Sequence, residues 1–245
     1  ISPTGRDVWR QITVFDPPRF AASVFRSVLE ARGIRVTGGV NTIANAAESP
    51  VTNRSIWAPA LDAQLIGPRI IASHQSPPLI EYLKIVNKKS HNLFADLTLK
   101  TIGRIVVGEG SYEAGSEVVR SFLADEVKTD TAGVVIHDGS GLSGLSRVSA
   151  AVFVDVLKHM SQTALWDLFW GTLPEAGNPS ELRRMYRTPA AGNLRAKTGT
   201  IKRVSALSGL VRSANGERIL FSILANDLRS TSGAKRVEDR IGVRL

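Results

Sequence analysis

An α/β fold, with an antiparallel sheet flanked by helices, is expected from three features of the sequence. Residues Leu194 to Lys197, Ser205 to Val211 and Ile219 to Ala225 read as strands, the last two joined at Asn215-Gly216, a dipeptide suited to a tight hairpin. Ahead of them, apolar residues recur at three- and four-residue spacing in several runs bounded by capping residues, prolines and glycines. After them, Ser232 to Val243 can form a terminal helix that packs back over the sheet.

Taken in order, Val8 to Phe15 alternates enough for a strand, and Asp16-Pro17-Pro18 follows as a capping residue before two prolines. Phe20, Val24, Phe25, Val28 and Leu29 then fall at helical spacing, and Gly33 ends the run. The stretch from Gly38-Gly39 to about Pro50 is small, polar and loop-like. A short strand is expected over Arg69 to Ser73, and Pro77-Pro78 opens a helix over Leu79 to Val86. The polar segment Asn87-Lys88-Lys89-Ser90-His91-Asn92 separates it from a second helical run, Leu93 to Ile102, closed by Gly103. Gly108-Glu109-Gly110 is a turn with no strand before it, so it does not read as a phosphate loop.

A further helix is expected over Glu113 to Leu123, and Val134 to Ile136 reads as a short buried strand. Asp138-Gly139-Ser140-Gly141-Leu142-Ser143 cannot continue that strand and reads as a turn, with Asp138 bracing it through local hydrogen bonds. Val148 to Met160 is amphipathic, Thr163 to Trp170 continues the helical pattern, and Gly177-Asn178-Pro179 breaks it.

Composition narrows the function classes. At 245 residues the chain can bury a sizeable core, as one large domain or two small ones. Apolar residues at 43% and charged residues at 22% mark a globular protein, and no run approaches the roughly 20 apolar residues of a membrane helix, so no transmembrane segment is expected in this chain. The absence of cysteine excludes disulfides and thiol chemistry. A net charge of +9 favours anionic neighbours, but the basic residues are dispersed and few aromatics lie among them, so nucleic acid is not an expected partner. The four histidines show no metal-binding spacing, and no metal or cofactor is expected.

The organising stretch is Arg195-Ala196-Lys197-Thr198-Gly199-Thr200. On a strand, Thr198 and Thr200 share a face while Gly199 leaves the backbone open between them. Two hydroxyls, a nearby ammonium and an unobstructed strand edge suit a carboxylate laid along the strand. Alone, such a triplet is more simply a surface strand with a solvated lysine. Its company changes that: Ser90-His91-Asn92 and Asp138 to Ser143 precede it in the order of the Ser-Asp-Asn and Lys-Thr-Gly elements of serine β-lactamases and penicillin-binding proteins. His91 stands where that pattern has aspartate.

With Ser76-Pro77-Pro78-Leu79 added to these motifs, the sequence from about Phe15 onward resembles the D-alanyl-D-alanine carboxypeptidase and endopeptidase family of penicillin-binding protein 4 type. The resemblance implies a penicillin-binding protein or serine β-lactamase-like transpeptidase fold, present in part. It implies catalytic roles for Ser90, Asn92 and Lys197: Ser90 as proton relay, the Asn92 amide holding the acyl side of the substrate, and Lys197 supporting the relay electrostatically. It makes Thr198, Gly199 and Thr200 substrate-binding, with Thr198 and Thr200 on the terminal carboxylate and the Thr200 N–H as half an oxyanion hole, and gives Gly141 and Leu142 the part of the cleft that receives the peptide side chain. Where the family has an arginine directly after its Gly-Leu-Ser turn, this chain has Gly144-Leu145-Ser146 before Arg147.

The family's Ser-x-x-Lys nucleophile motif has no match before Ser90. The only such spacing, Ser232-Gly233-Ala234-Lys235, lies after Lys-Thr-Gly and reads as ordinary helix, so the nucleophile is expected upstream of Ile1. On this basis residues 1–36 are expected to be the end of an inserted accessory region with a connecting helix, and residues 37–245 the C-terminal part of a catalytic domain. The implied activity is a serine-type D-Ala-D-Ala carboxypeptidase, with endopeptidase action on cross-links as a further option, acting through an acyl-enzyme. Its implied partners are peptidoglycan peptides ending in D-Ala-D-Ala, with β-lactams as inhibitors, in the periplasm or another extracytoplasmic space. Two other readings stand beside it: a non-catalytic peptidoglycan-binding module, and a β-lactamase or esterase on the same fold.

Overall fold

The computed structural model describes residues 13–43 and 73–245. The chain divides between His74 and Gln75 into two compact units. All but the last residue of the strand expected over Arg69 to Ser73, and most of the one over Val8 to Phe15, lie outside the described residues.

In the first unit, α1 spans Pro17–Ala31. The Asp16 carboxylate accepts from the Arg19 N–H at 3.2 Å, and the two prolines occupy the positions where a missing N–H costs nothing. Gly33, at φ +79°, ends the helix in the left-handed region.

The second unit carries helices α2 (Leu79–Lys89), α3 (Asn92–Val107), α4 (Tyr112–Asp125), α5 (Ala150–Ser161), α6 (Trp166–Thr172) and α7 (Thr231–Arg244), with strands β1 (Arg195–Ile201), β2 (Val204–Arg212) and β3 (Arg218–Ala225). The strands form an antiparallel sheet in the order β1-β2-β3. Its register sets Lys197 opposite Ser208, Thr198 opposite Leu207 and Thr200 opposite Ser205.

One face of the sheet buries Leu194, Ala196, Leu207, Val211 and Phe221 against Leu182 and Met185. Each fully buried leucine contributes about 1.5–3 kcal/mol relative to exposure, so this cluster anchors β1 firmly. α7 covers β2 through a buried carboxylate. Glu238, 1% exposed, accepts from Ser205 Oγ at 2.6 Å and from Arg184 Nη1 at 2.9 Å. Ser232 and Lys235 lie at the start of this helix, on a different element from Lys197.

Four local expectations are corrected. The helix expected to close at Gly103 continues to Val107, because Gly103 serves packing: a Cβ there would sit 2.7 Å from the Glu109 carbonyl oxygen and the Gly115 nitrogen. Gly115 answers from α4, where a Cβ would lie 2.2 Å from the Leu99 carbonyl oxygen. Val134 to Ile136 is no strand but a single antiparallel bridge, in which Val135 and Arg147 exchange N–H to carbonyl bonds of 2.8 Å. The run from Thr163 to Trp170 does not continue α5, since Gln162 caps α5 and a new helix starts at Trp166. Finally, β1 extends through Thr198-Gly199-Thr200 to Ile201, well past Lys197.

The closeness of α3 and α4 leads to a test. Gly115→Ala should destabilise the protein by about 1–3 kcal/mol through overpacking against the Leu99 backbone. Gly133→Ala, with nothing within 4 Å of the added carbon, should be close to neutral. Denaturant titration of both variants checks this.

Candidate active site

The site is built where a helix junction meets a strand edge. α2 ends at Lys89 and α3 begins at Asn92, leaving Ser90 and His91 as the whole connection. Ser90 adopts φ 52°, ψ 53°, a left-handed conformation uncommon for a residue with a side chain. His91 caps α3: its Nδ1 accepts from the Phe94 N–H at 3.3 Å, and its ring packs 4.2 Å from that of Phe94. The junction leaves the Ser90 hydroxyl projecting from the helix surface toward β1.

Lys197 meets it there. Its Nζ donates to Ser90 Oγ at 2.9 Å and to the Thr198 carbonyl at 2.7 Å. Burial pushes the ammonium below the ordinary lysine value, because charge is costly away from water. Ser90 accepts from Lys197 and so keeps its own proton free to donate, which is what a proton relay needs.

β1 offers its outer edge beside this pair. The Ala196 N–H donates to the Pro174 carbonyl at 3.0 Å, away from β2. Main-chain groups alternate along an antiparallel strand, so the N–H and C=O of Thr198 and Thr200 point to that same outer edge. Glu175 and Ala176 cover the edge at Arg195 and Leu194; from Lys197 onward no described backbone group pairs with it, and the Thr198 carbonyl accepts from Lys197 Nζ. Thr198 is half-buried, while Gly199 and Thr200 are exposed.

A second turn lies against α3. Gly139 and Ser140 each donate a backbone N–H of 2.9 Å to Asp96 Oδ1. A Cβ at Gly139 would lie 2.3 Å from the Ala95 carbonyl oxygen, so the turn rests on the helix backbone. Asp138 holds the turn from within, accepting from the N–H groups of Gly141 at 3.0 Å and Ser143 at 2.8 Å and from Ser140 Oγ at 3.0 Å. Gly141, at φ +75°, and Leu142, 56% exposed, form the tip. Asn92 lies one helical turn before Asp96 and therefore on the same side of α3.

The structure thus joins Ser90, Lys197 and Thr198 by hydrogen bonds, places Asn92 at the start of the helix that begins beyond Ser90, and carries Gly199 and Thr200 along the open edge. Gly141 and Leu142 are tethered to the same helix through Asp96 but make no hydrogen bond to Ser90 or Lys197. Two contributors were not singled out from the sequence: Asp96, a single carboxylate inside an amphipathic helix, and His91 as a cap. The second had a signal, since it stands immediately before the first helical residue. Among the described residues no cluster of three metal-ligating side chains occurs.

The antiparallel sheet flanked by helices is a penicillin-binding protein or serine β-lactamase-like fold. The fold has solved counterparts. Penicillin-binding protein 4 from Haemophilus influenzae, complexed with a β-lactam, superposes with a TM-score of 0.75 at 24% identity over 96% of this chain and 53% of its own. The TLA-3 extended-spectrum β-lactamase does so with a TM-score of 0.50 at 16% identity, over 92% of this chain and 80% of its own. The chain belongs to the D-Ala-D-Ala carboxypeptidase 3 (S13) family, whose model matches residues 1–245. It is 36% identical over 240 residues to the D-alanyl-D-alanine carboxypeptidase of Actinomadura sp. (strain R39), an alignment covering 95% of this chain and 41% of that protein. It therefore spans less than half the length of that relative.

The buried ammonium has a pH signature. Because the folded-state pKa of Lys197 is lowered, the unfolded chain binds more protons between that value and 10.5, and stability rises with pH across this window. Relative to Lys197→Met, the wild-type protein should therefore gain stability as pH approaches 10.5, a difference measurable by denaturant titration at a series of pH values.

Proposed function

We propose that the protein to which this chain belongs is a serine-type D-Ala-D-Ala carboxypeptidase acting outside the cytoplasmic membrane on peptidoglycan stem peptides, and that β-lactams acylate it. The observation that carries the reading is the 2.9 Å bond from Lys197 Nζ to Ser90 Oγ beside the open edge of β1. It brings together two motifs separated by more than a hundred residues, in a chain belonging to a carboxypeptidase family.

The peptide would lie along β1 as an added strand, its main chain paired with the outward N–H and C=O groups of Thr198 and Thr200. The terminal carboxylate would be held by the hydroxyls of Thr198 and Thr200 in the field of Lys197. Gly199 leaves the strand surface low between them. Attack by a serine on the penultimate carbonyl forms a tetrahedral oxyanion, which the Thr200 N–H would stabilise as one of two donors. Collapse of that intermediate breaks the peptide bond, and Ser90 passes its proton to the departing D-alanine amine, with Lys197 holding the relay in place and offsetting negative charge. The Asn92 amide would pair with the acyl-side peptide bond, and Gly141 and Leu142 would line the region that takes the preceding side chain. Water then hydrolyses the acyl-enzyme.

The attacking serine and its lysine base are assigned to polypeptide preceding Ile1, following the family order in which Ser-x-x-Lys comes first. Residues 1–36 are read as the end of an inserted accessory region within the same protein. Endopeptidase action on cross-links would use the same strand edge.

Labelled penicillin with intact-mass analysis tests the assignment. A full-length protein should form a one-to-one adduct on a serine upstream of Ile1, and the 245-residue chain alone should form none. In the full-length protein, Ser90→Ala should slow acylation by about 10²–10⁴-fold, the usual span for a positioned acid or base. An adduct on Ser232 would overturn the reading.

A further inference from the structure

One carboxylate joins the two elements that carry the catalytic pair. Three consecutive residues in the last turn of α2 reach onto the end of α6 and the segment between α6 and β1. Asn87 Nδ2 donates to Thr172 Oγ1 at 2.7 Å, Lys88 Nζ to Glu181 Oε1 at 2.8 Å, and Lys89 Nζ to the Ser180 carbonyl at 3.2 Å. That segment also lies along the outer edge of β1, where Glu175 bridges Arg195 through the backbone and forms an ion pair with its guanidinium. Glu181 alone among these contacts works in both directions. Its Oε1 takes Lys88, and its Oε2 accepts the Glu175 N–H at 2.8 Å. Lys88 lies two residues before Ser90, and Arg195 two residues before Lys197.

We infer that Glu181 is a positioning residue for the active site: by holding Lys88 of α2 with one oxygen and the Glu175 N–H at the edge of β1 with the other, it sets the separation between Ser90 Oγ and Lys197 Nζ. This rests on the reading of Ser90 and Lys197 as the proton relay. The Glu181–Lys88 pair is mostly shielded, with side chains 15% and 23% exposed, which sets it apart from a solvated surface pair. Partial desolvation alone would raise the Glu181 pKa, but the hydrogen bonds from Lys88 and the Glu175 N–H and the charges of Lys88 and Arg195 outweigh it and hold the carboxyl below its ordinary range. The remaining charged groups of the cluster are Glu175, which Arg195 neutralises, and Lys89, which donates to the Ser180 carbonyl. The geometry is demanding because small misplacements of reacting groups cost large factors in rate.

The test uses the full-length protein. Glu181→Gln keeps the size but has one acceptor oxygen, so it cannot receive both donors at separate oxygens. The second-order rate constant for acylation by fluorescent penicillin should fall about tenfold, while the thermal midpoint falls by no more than about 4 °C. As Lys197 regains access to water, the alkaline limb of the acylation profile should move up toward the ordinary lysine value. Glu181→Asp, with the charge and both oxygens retained, should recover rate above Glu181→Gln. An unchanged rate in Glu181→Gln, or a loss of rate that tracks the thermal midpoint with the alkaline limb unmoved, overturns the inference. Should the wild-type protein take no label, the proposed function fails by itself. The inference is then decided by a 13Cε NMR titration of Lys197: a higher pKa in Glu181→Gln supports it, and an unchanged one overturns it.

Discussion

Holding an ammonium away from water is the constraint on which this domain turns. Desolvating Lys197 is unfavourable, and it is offset by two short hydrogen bonds, to Ser90 and to the Thr198 carbonyl. Both acceptors must stay fixed for the arrangement to persist. The Thr198 carbonyl is fixed by strand pairing, with Ala196 and Leu194 buried just before it. Ser90 is held between the helices on either side, in the left-handed conformation at their junction.

α3 is the second support. At its start it carries the cap and Asn92, in its middle Asp96 and the turn at 138–143, and toward its end Gly103, where α4 crosses nearly backbone to backbone. The helix thereby links the two turns of the site to the packed layer behind it. Hydrogen bonds to a carboxylate contribute roughly 1.5–3 kcal/mol each, so the paired donations from Gly139 and Ser140 into Asp96 are enough to hold a short polar turn against a helix.

Elements governed by local chemistry could be read before any coordinates. The cap at Asp16, the hairpin at Asn215-Gly216, the self-braced turn of Asp138 and the terminal helix all follow from residues within a few positions of one another. The motif residues Ser90 and Lys197 were legible too, though only as a pattern; nothing in either stretch shows that an ammonium and a hydroxyl separated by more than a hundred residues meet at 2.9 Å. What escaped is what depends on a distant partner. Gly103 looked like a helix stop and is a crossing point, and Val134 to Ile136 had strand-forming residues but found only Arg147 to pair with. Asp96 and Glu181 resemble any surface acid until the backbone donors they receive are known.

The histidine between Ser90 and Asn92 departs in chemistry from the aspartate of the common pattern, yet its ring nitrogen does what a carboxylate oxygen would do, receiving the Phe94 N–H that opens α3. The tolerance of that slot is therefore a matter of hydrogen-bond polarity. Side chains able to accept one bond at the right reach, such as asparagine, serine or threonine, belong to the same alphabet, whereas a purely hydrocarbon side chain would loosen the helix start and with it the lodging of Asn92. Relatives whose triplet is spelled differently are thus better recognised by an acceptor at this slot than by its letter.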